Sequence, residues 1–70
     1  MEGRFYLSHR VTGPNRTNKN LWFMTEQEAE RVSDQLWAAD CRQELVDTLS
    51  GEFRVRGTSG TWLTWGVRHP

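Results

Sequence analysis

Cysteine is almost missing from this 70-residue sequence, which holds Cys41 alone. A small fold held by disulfides needs cysteines in pairs, so Cys41 belongs to a packed position or a reducing compartment. Long apolar runs are missing too, since no stretch approaches the ~18 residues of a membrane span. Met1-Glu2-Gly3-Arg4 leads into a strand-like run without the pattern of a signal peptide, which points to the cytoplasm. The triplet Asn15-Arg16-Thr17 has the form of a glycosylation acceptor, but without a secretory signal it carries no meaning. Catalytic groups are equally sparse. His9, His69 and Cys41 are the only soft metal ligands, and none stands at the close spacing of a zinc site. No Gly-rich phosphate loop joins a strand to a helix. These scarcities argue against an enzyme, a metal or a cofactor. A small ribonuclease built on Arg54, Arg56, Tyr6 and a histidine is the catalytic alternative.

Apolar residues are few, at 36% of the chain, yet four Trp and three Phe supply large buried areas from few positions. A chain of this length forms one domain and buries only about 60% of its unfolded surface, so its stability is marginal or shared with a partner. Net charge is zero, but it is unevenly spread. Residues 1–20 carry four basic and one acidic residue, residues 21–52 two basic and eight acidic, and residues 53–70 three basic and none acidic. The sums are +3, −6 and +3, so an acidic middle lies between basic ends. Such division marks either an interaction surface or simply a solvated helix.

The run RFYLSHRV, residues 4–11, alternates as a half-buried strand with Phe5, Leu7, His9 and Val11 on one side. TGPNRTNKN, residues 12–20, has the composition of a long hairpin loop, and LWFM, residues 21–24, of a second strand. Thr25-Glu26-Gln27-Glu28 fits a capping box, in which Thr25 closes the first turn and Glu28 reaches back. The helix that follows places Ala29, Val32, Leu36 and Ala39 on one stripe, with Trp37 at its edge. Residues 41–50 are readable two ways. Cys41, Leu45 and Leu49 line one side of a short helix, which is slightly favoured, whereas Leu45-Val46-Asp47-Thr48 also suits a strand. EFRVRG, residues 52–57, and TWLTWGV, residues 61–67, are strands, and residues 68–70 a tail. The expected architecture is a single α+β domain over residues 1–70, of order β-β-α(-α)-β-β, with an antiparallel sheet packed on one main helix.

Trp62 and Trp65, three apart on the last strand, fall on opposite faces of a regular sheet. If Phe53 and Val55 face the helix, burying Leu63, Trp65 and Val67 beside them removes the most apolar area from water. Trp65 is then core and Trp62 belongs to the open face. That face gathers Arg4, Tyr6, Ser8, Arg10, Arg54, Arg56 and Trp62. Arginines among aromatics suit single-stranded nucleic acid, where bases stack and phosphates pair with guanidinium groups. Arginine and threonine on solvated strands explain the same pattern without a ligand. A second candidate surface is the acidic row Glu26, Glu30 and Asp34 at i, i+4 and i+8 of the helix, beside Trp37. His9 reads as a satisfied core or edge histidine, and His69 as part of a mobile tail.

The order of RFYLSHRV, LWFMTEQEAERVSDQLWAADC, EFRVRG and TWLTWGV resembles the layout of small bacteriophage proteins, among them anti-CRISPR inhibitors. The first half is also similar to the small β-β-α DNA-binding modules of phage integrases, which are strongly basic where this chain is neutral. The inhibitor resemblance implies a protein target that itself handles nucleic acid, in the cytoplasm of a host cell. The expected function is a non-enzymatic binding module of inhibitor or adaptor kind, acting by steric masking. It would dock through the Arg4, Tyr6, Arg10, Arg54, Arg56 and Trp62 face or the Glu26, Glu30, Asp34 and Trp37 helix. Direct binding of single-stranded nucleic acid is the alternative. An exposed strand edge or Trp62 also invites a homodimer.

Overall fold

The computed structural model describes residues 3–14 and 16–68, Thr64 by its backbone. The glycosylation-like Asn15 and the tail histidine His69 lie outside the described residues. The chain runs β1 (Phe5–Val11), β2 (Thr17–Phe23), α1 (Glu26–Leu36), β3 (Cys41–Asp47), β4 (Glu52–Arg56) and β5 (Trp62–Val67). The strands form one antiparallel sheet in the order β2-β1-β3-β4-β5. The α+β class holds, with one helix on one side of the sheet.

β1 is central to the packed half, and its alternation is the strongest in the chain. Phe5, Leu7 and His9 are buried beneath the helix while Tyr6 and Ser8 turn to the other side. Thr25 caps α1 by accepting the Glu28 N–H at 3.2 Å. The helix buries Ala29 and Ser33 and packs Val32 and Leu36 against Phe5, Leu7 and Leu45, with Leu21, Phe23 and Trp62 closing the cluster. It ends at Leu36, so Ala39 lies exposed beyond the stripe and Trp37 is the C-cap.

Two expectations about elements change. Residues 41–47 are a strand, and no second helix occurs among the described residues. Apolar residues four apart fit both a helix and a strand, because four is a multiple of the strand period and close to a helical turn. Cys41, Gln43 and Leu45 all point inward, and a polar residue in the middle of that set hid the alternation. The long loop is also shorter than its composition implies. β2 begins at Thr17, because Thr17, Asn18, Lys19 and Asn20 pair by backbone with β1 although all four are exposed.

The largest correction concerns β4 and β5. Arg54 and Arg56 pair with Leu45 and Gln43, so both arginines share the helix side, and Phe53 and Val55 take the open side. In β5, Trp65 pairs with Arg54 and Trp62 with Arg56, and the register shifts between Val55 and Arg56. One step on β4 thus spans two on β5, and Leu63 is the extra residue of a β-bulge. The bulge brings Trp62 and Trp65 to the same side despite their spacing. Trp62 packs on the core, whereas Trp65 is 67% exposed, the reverse of the expected assignment. The physical reason is coverage. An 11-residue helix is about 16 Å long, and it packs on β1, β2 and β3 but does not roof β4 and β5. Apolar side chains there gain little by facing the helix, while long arginines can reach its acidic flank.

Candidate functional site

The helix-side arginines are built into the fold. Arg56 is only 7% exposed, and its guanidinium donates to Gln43 Oε1 at 2.7 Å, Ser33 Oγ at 2.8 Å, Asp34 Oδ1 at 2.8 Å and the Gly60 carbonyl at 3.3 Å. It lies over the Trp62 ring at 4.5 Å and the Trp37 ring at 5.9 Å. Trp37 in turn donates its indole N–H to the Gly57 carbonyl at 3.0 Å. Gly60 has φ +76°, and a Cβ there would meet the Trp37 ring at 3.0 Å. Arg54 stacks on Trp62 at 5.0 Å and reaches Glu30 at 3.1 Å and Glu26 at 3.5 Å. The acidic row and the two arginines, expected on separate surfaces, are therefore each other's partners. Arg54, Arg56 and Trp62 do not join Tyr6 and Arg10, and Glu26, Glu30 and Asp34 spend part of their charge within the fold.

A buried polar network continues from Arg56. Gln43 Oε1 also accepts from Ser33 Oγ at 2.7 Å, which fixes the amide orientation. Gln43 Nε2 donates to the Ser33 carbonyl at 2.8 Å and to His9 Nδ1 at 3.0 Å. His9 therefore carries its proton on Nε2 and is neutral, and burial holds it below the ordinary imidazole value, helped by Lys19 and opposed by Asp40. No buried side-chain polar atom among the described residues is left without a hydrogen-bond partner. Sequence reasoning missed Gln43 and Ser33. Their one sequence signal is a polar residue at an inward position of each element.

The open side of the sheet is where unassigned chemistry collects. Register partners place Trp22, Tyr6, Val46, Phe53 and Gly66 in a row across all five strands, at right angles to their run. Trp22 and Tyr6 meet at 4.7 Å between ring centroids with a tilt of 52°, and the Tyr6 hydroxyl donates to Asn20 Oδ1 at 2.7 Å. The Phe53 ring lies over Gly66, where a Cβ would come within 2.9 Å, and the Arg68 guanidinium covers it at 4.5 Å. These side chains are half-buried by one another, with no element of the described residues above them. Two residues along, Ser8, Glu44 and Val55 form a second row, with Glu44 paired to Arg68. In the third row Arg10 and Arg42 stand directly opposite on β1 and β3. Neither makes an ion pair among the described residues, and both line a hollow of about 230 Å³ with Ser8, Glu44 and Val55. Like charges facing across strands cost stability unless something offsets them.

Arg4 sits at the start of β1 in a two-point pair with Asp47, Nε to Oδ1 at 2.8 Å and Nη2 to Oδ2 at 2.7 Å. Asp47 also accepts from the N–H groups of Leu49 and Ser50. Chiefly through Arg4, its carboxyl is pulled down to about 2. This pair pins the turn after β3, so Arg4 is structural rather than part of the open surface. Of the expected sheet-face residues, Tyr6, Ser8 and Arg10 stay on it, and Trp22, Arg42, Phe53 and Arg68 join them. Among the described residues no three His, Cys, Asp or Glu side chains gather as a metal site, and no helix is long and apolar enough to cross a membrane. No protein-family model, no curated protein and no solved structure matches this chain.

Proposed function

We propose that the chain is a non-enzymatic binding module that docks on a protein partner through the open face of its sheet and acts by masking the surface it covers. The observation that carries this reading is the uncovered row Trp22, Tyr6, Val46 and Phe53, with Arg10, Arg42 and Arg68 around it. Aromatic anchors at the centre and arginine at the margin are the composition of energetic centres in protein interfaces. The resemblance of the sequence layout to that of small phage inhibitors would imply a partner that handles nucleic acid in the host cytoplasm. The acidic flank of α1 is the weaker docking surface, because Arg54 and Arg56 already balance much of its charge.

Single-stranded nucleic acid is the second reading, favoured by one feature. The facing arginines Arg10 and Arg42 make no ion pair among the described residues, the nearby Glu44 being taken by Arg68, and suit a phosphate beside rings on which bases stack. The two readings separate in one pair of experiments. Immobilised wild-type protein should retain a partner from host lysate that Trp22→Ala with Phe53→Ser loses and Glu28→Lys keeps. Retention by the sheet variant would refute open-face docking. Titration with short single-stranded DNA or RNA should leave tryptophan fluorescence unchanged. Saturable quenching that weakens with salt and disappears in Arg10→Glu would move the second reading to first place.

A further inference from the structure

The sheet has two edges, β2 and β5, and the sequence treats them differently. β2 begins with the exposed polar run Thr17, Asn18, Lys19 and Asn20, and a lysine on an edge discourages another strand from adding to it. β5 carries no charge of that kind, and its one edge device is the bulge at Leu63. From Trp62 to Val67 it contains no charge and no proline, and its outer side has no partner among the described residues. Leu63 is 72% exposed, Trp65 67% and Val67 44%. Of the five large hydrophobic residues left in water among the described residues, three thus lie on one six-residue strand, with Met24 and Leu49 in connecting segments. The helix does not extend over that strand.

We propose that β5 pairs antiparallel with β5 of a second copy of this chain about a two-fold axis, making one continuous sheet. Self-pairing follows from the side-chain pattern. A two-fold axis through the strand edge keeps helix side with helix side, so residues that meet must point the same way. Trp65 and Val67 both point to the helix side through their partners Arg54 and Glu52. Trp65 of one copy therefore meets either Val67 or Trp65 of the other, and no like charges oppose each other along the strand. Gly66 lies between them and adds no bulk near the axis. The bulge at Leu63 limits regular pairing to the C-terminal part of β5.

So short an edge falls below the about 800 Å² per partner of a standard interface, in the class of weak and transient contacts, so the dimer is expected at micromolar or higher concentration. Pairing would place two open faces side by side on one sheet. It does not depend on what those faces bind.

Sedimentation equilibrium from about 5 µM to 1 mM, the range that brackets such an affinity, tests the proposal. The wild-type protein should move from one copy to two as concentration rises. Val67→Lys and Trp65→Lys should stay single copies throughout with unchanged circular dichroism, while Trp22→Ala should associate as the wild type does. Amide hydrogen exchange on the wild type gives an answer that needs no variant. Protection of β5 should rise with concentration while protection of β2 stays constant. A single copy across the whole range overturns the proposal, as does association that leaves β5 exchange unchanged. Loss of the dimer in Trp22→Ala, with Val67→Lys still dimeric, would place the contact on the open face and overturn it too.

Discussion

Arg56 shows how much one residue can hold in a small domain. Its guanidinium ties β4 to Gln43 of β3, Ser33 and Asp34 of α1 and Gly60 of the last turn, between two indole rings. Replacing it with Ala removes the charged hydrogen bonds to Gln43 Oε1 and Ser33 Oγ, which keep only each other, and empties a buried position, at a cost of about 2–4 kcal/mol. Arg54 pairs with half-exposed carboxylates, and Arg54→Ala should cost no more than about 1 kcal/mol. Urea unfolding of the two variants measures the contrast, and equal losses would contradict it. His9 makes a second residue-scale prediction. Its value is lowered in the folded state, so the unfolded chain takes up a proton first as pH falls below about 6.5. Stability is complete above that point and declines toward the lower folded value, because burial disfavours the charged imidazolium. His9→Gln should remove this slope in a series of melts at descending pH. A separate loss between the ordinary value of 3.8 and about 2 belongs to Asp47 and should vanish in Asp47→Asn.

At the scale of elements, the bulge in β5 decides which faces two tryptophans occupy. Removing Leu63 leaves Trp62 and Trp65 two residues apart, which is the spacing a regular strand needs to put both on the helix side. Deletion of Leu63 should therefore fold, with stability within about 1 kcal/mol of the wild type and similar tryptophan emission. A melting temperature many degrees lower would mean that the bulge supplies something beyond register. β1 and α1 were legible in the sequence because their inward residues are apolar at the right period. β3 was not, since Gln43 sits inward and Arg42 outward. Polar on both sides, that stretch shows no alternation until Ser33, His9 and Arg56 are in place to satisfy Gln43.

For the whole molecule, the helix divides the sheet into a covered half with an apolar core and a wing of β4 and β5 held by ion pairs and stacked rings. Stability should concentrate in the covered half. Leu7→Ala, at a fully buried position, should cost about 2–5 kcal/mol, a large share of the stability of so short a chain. Phe53→Ala on the open face should cost clearly less, and the same denaturant titration compares them. If Phe53→Ala proves the more damaging, the open row is a second core rather than a docking surface. The sequence made some of that surface legible, with Tyr6 and Arg10 fixed by the phase of β1. It could not supply Trp22, Arg42 or Phe53, whose sides depend on pairing partners in other strands.

The sequence by itself determined the α+β class, the position of the one helix and the buried side of β1. Each of these rests on local periodicity and capping, which neighbours in the chain dictate. Only the tertiary structure decided the facing of β4 and β5. That choice depends on how far an 11-residue helix reaches across the sheet, and on carboxylates some twenty residues away that can pair with Arg54 and Arg56. Area alone favoured apolar residues inward. A sheet wider than its helix removes that preference, and charge pairing then sets the register.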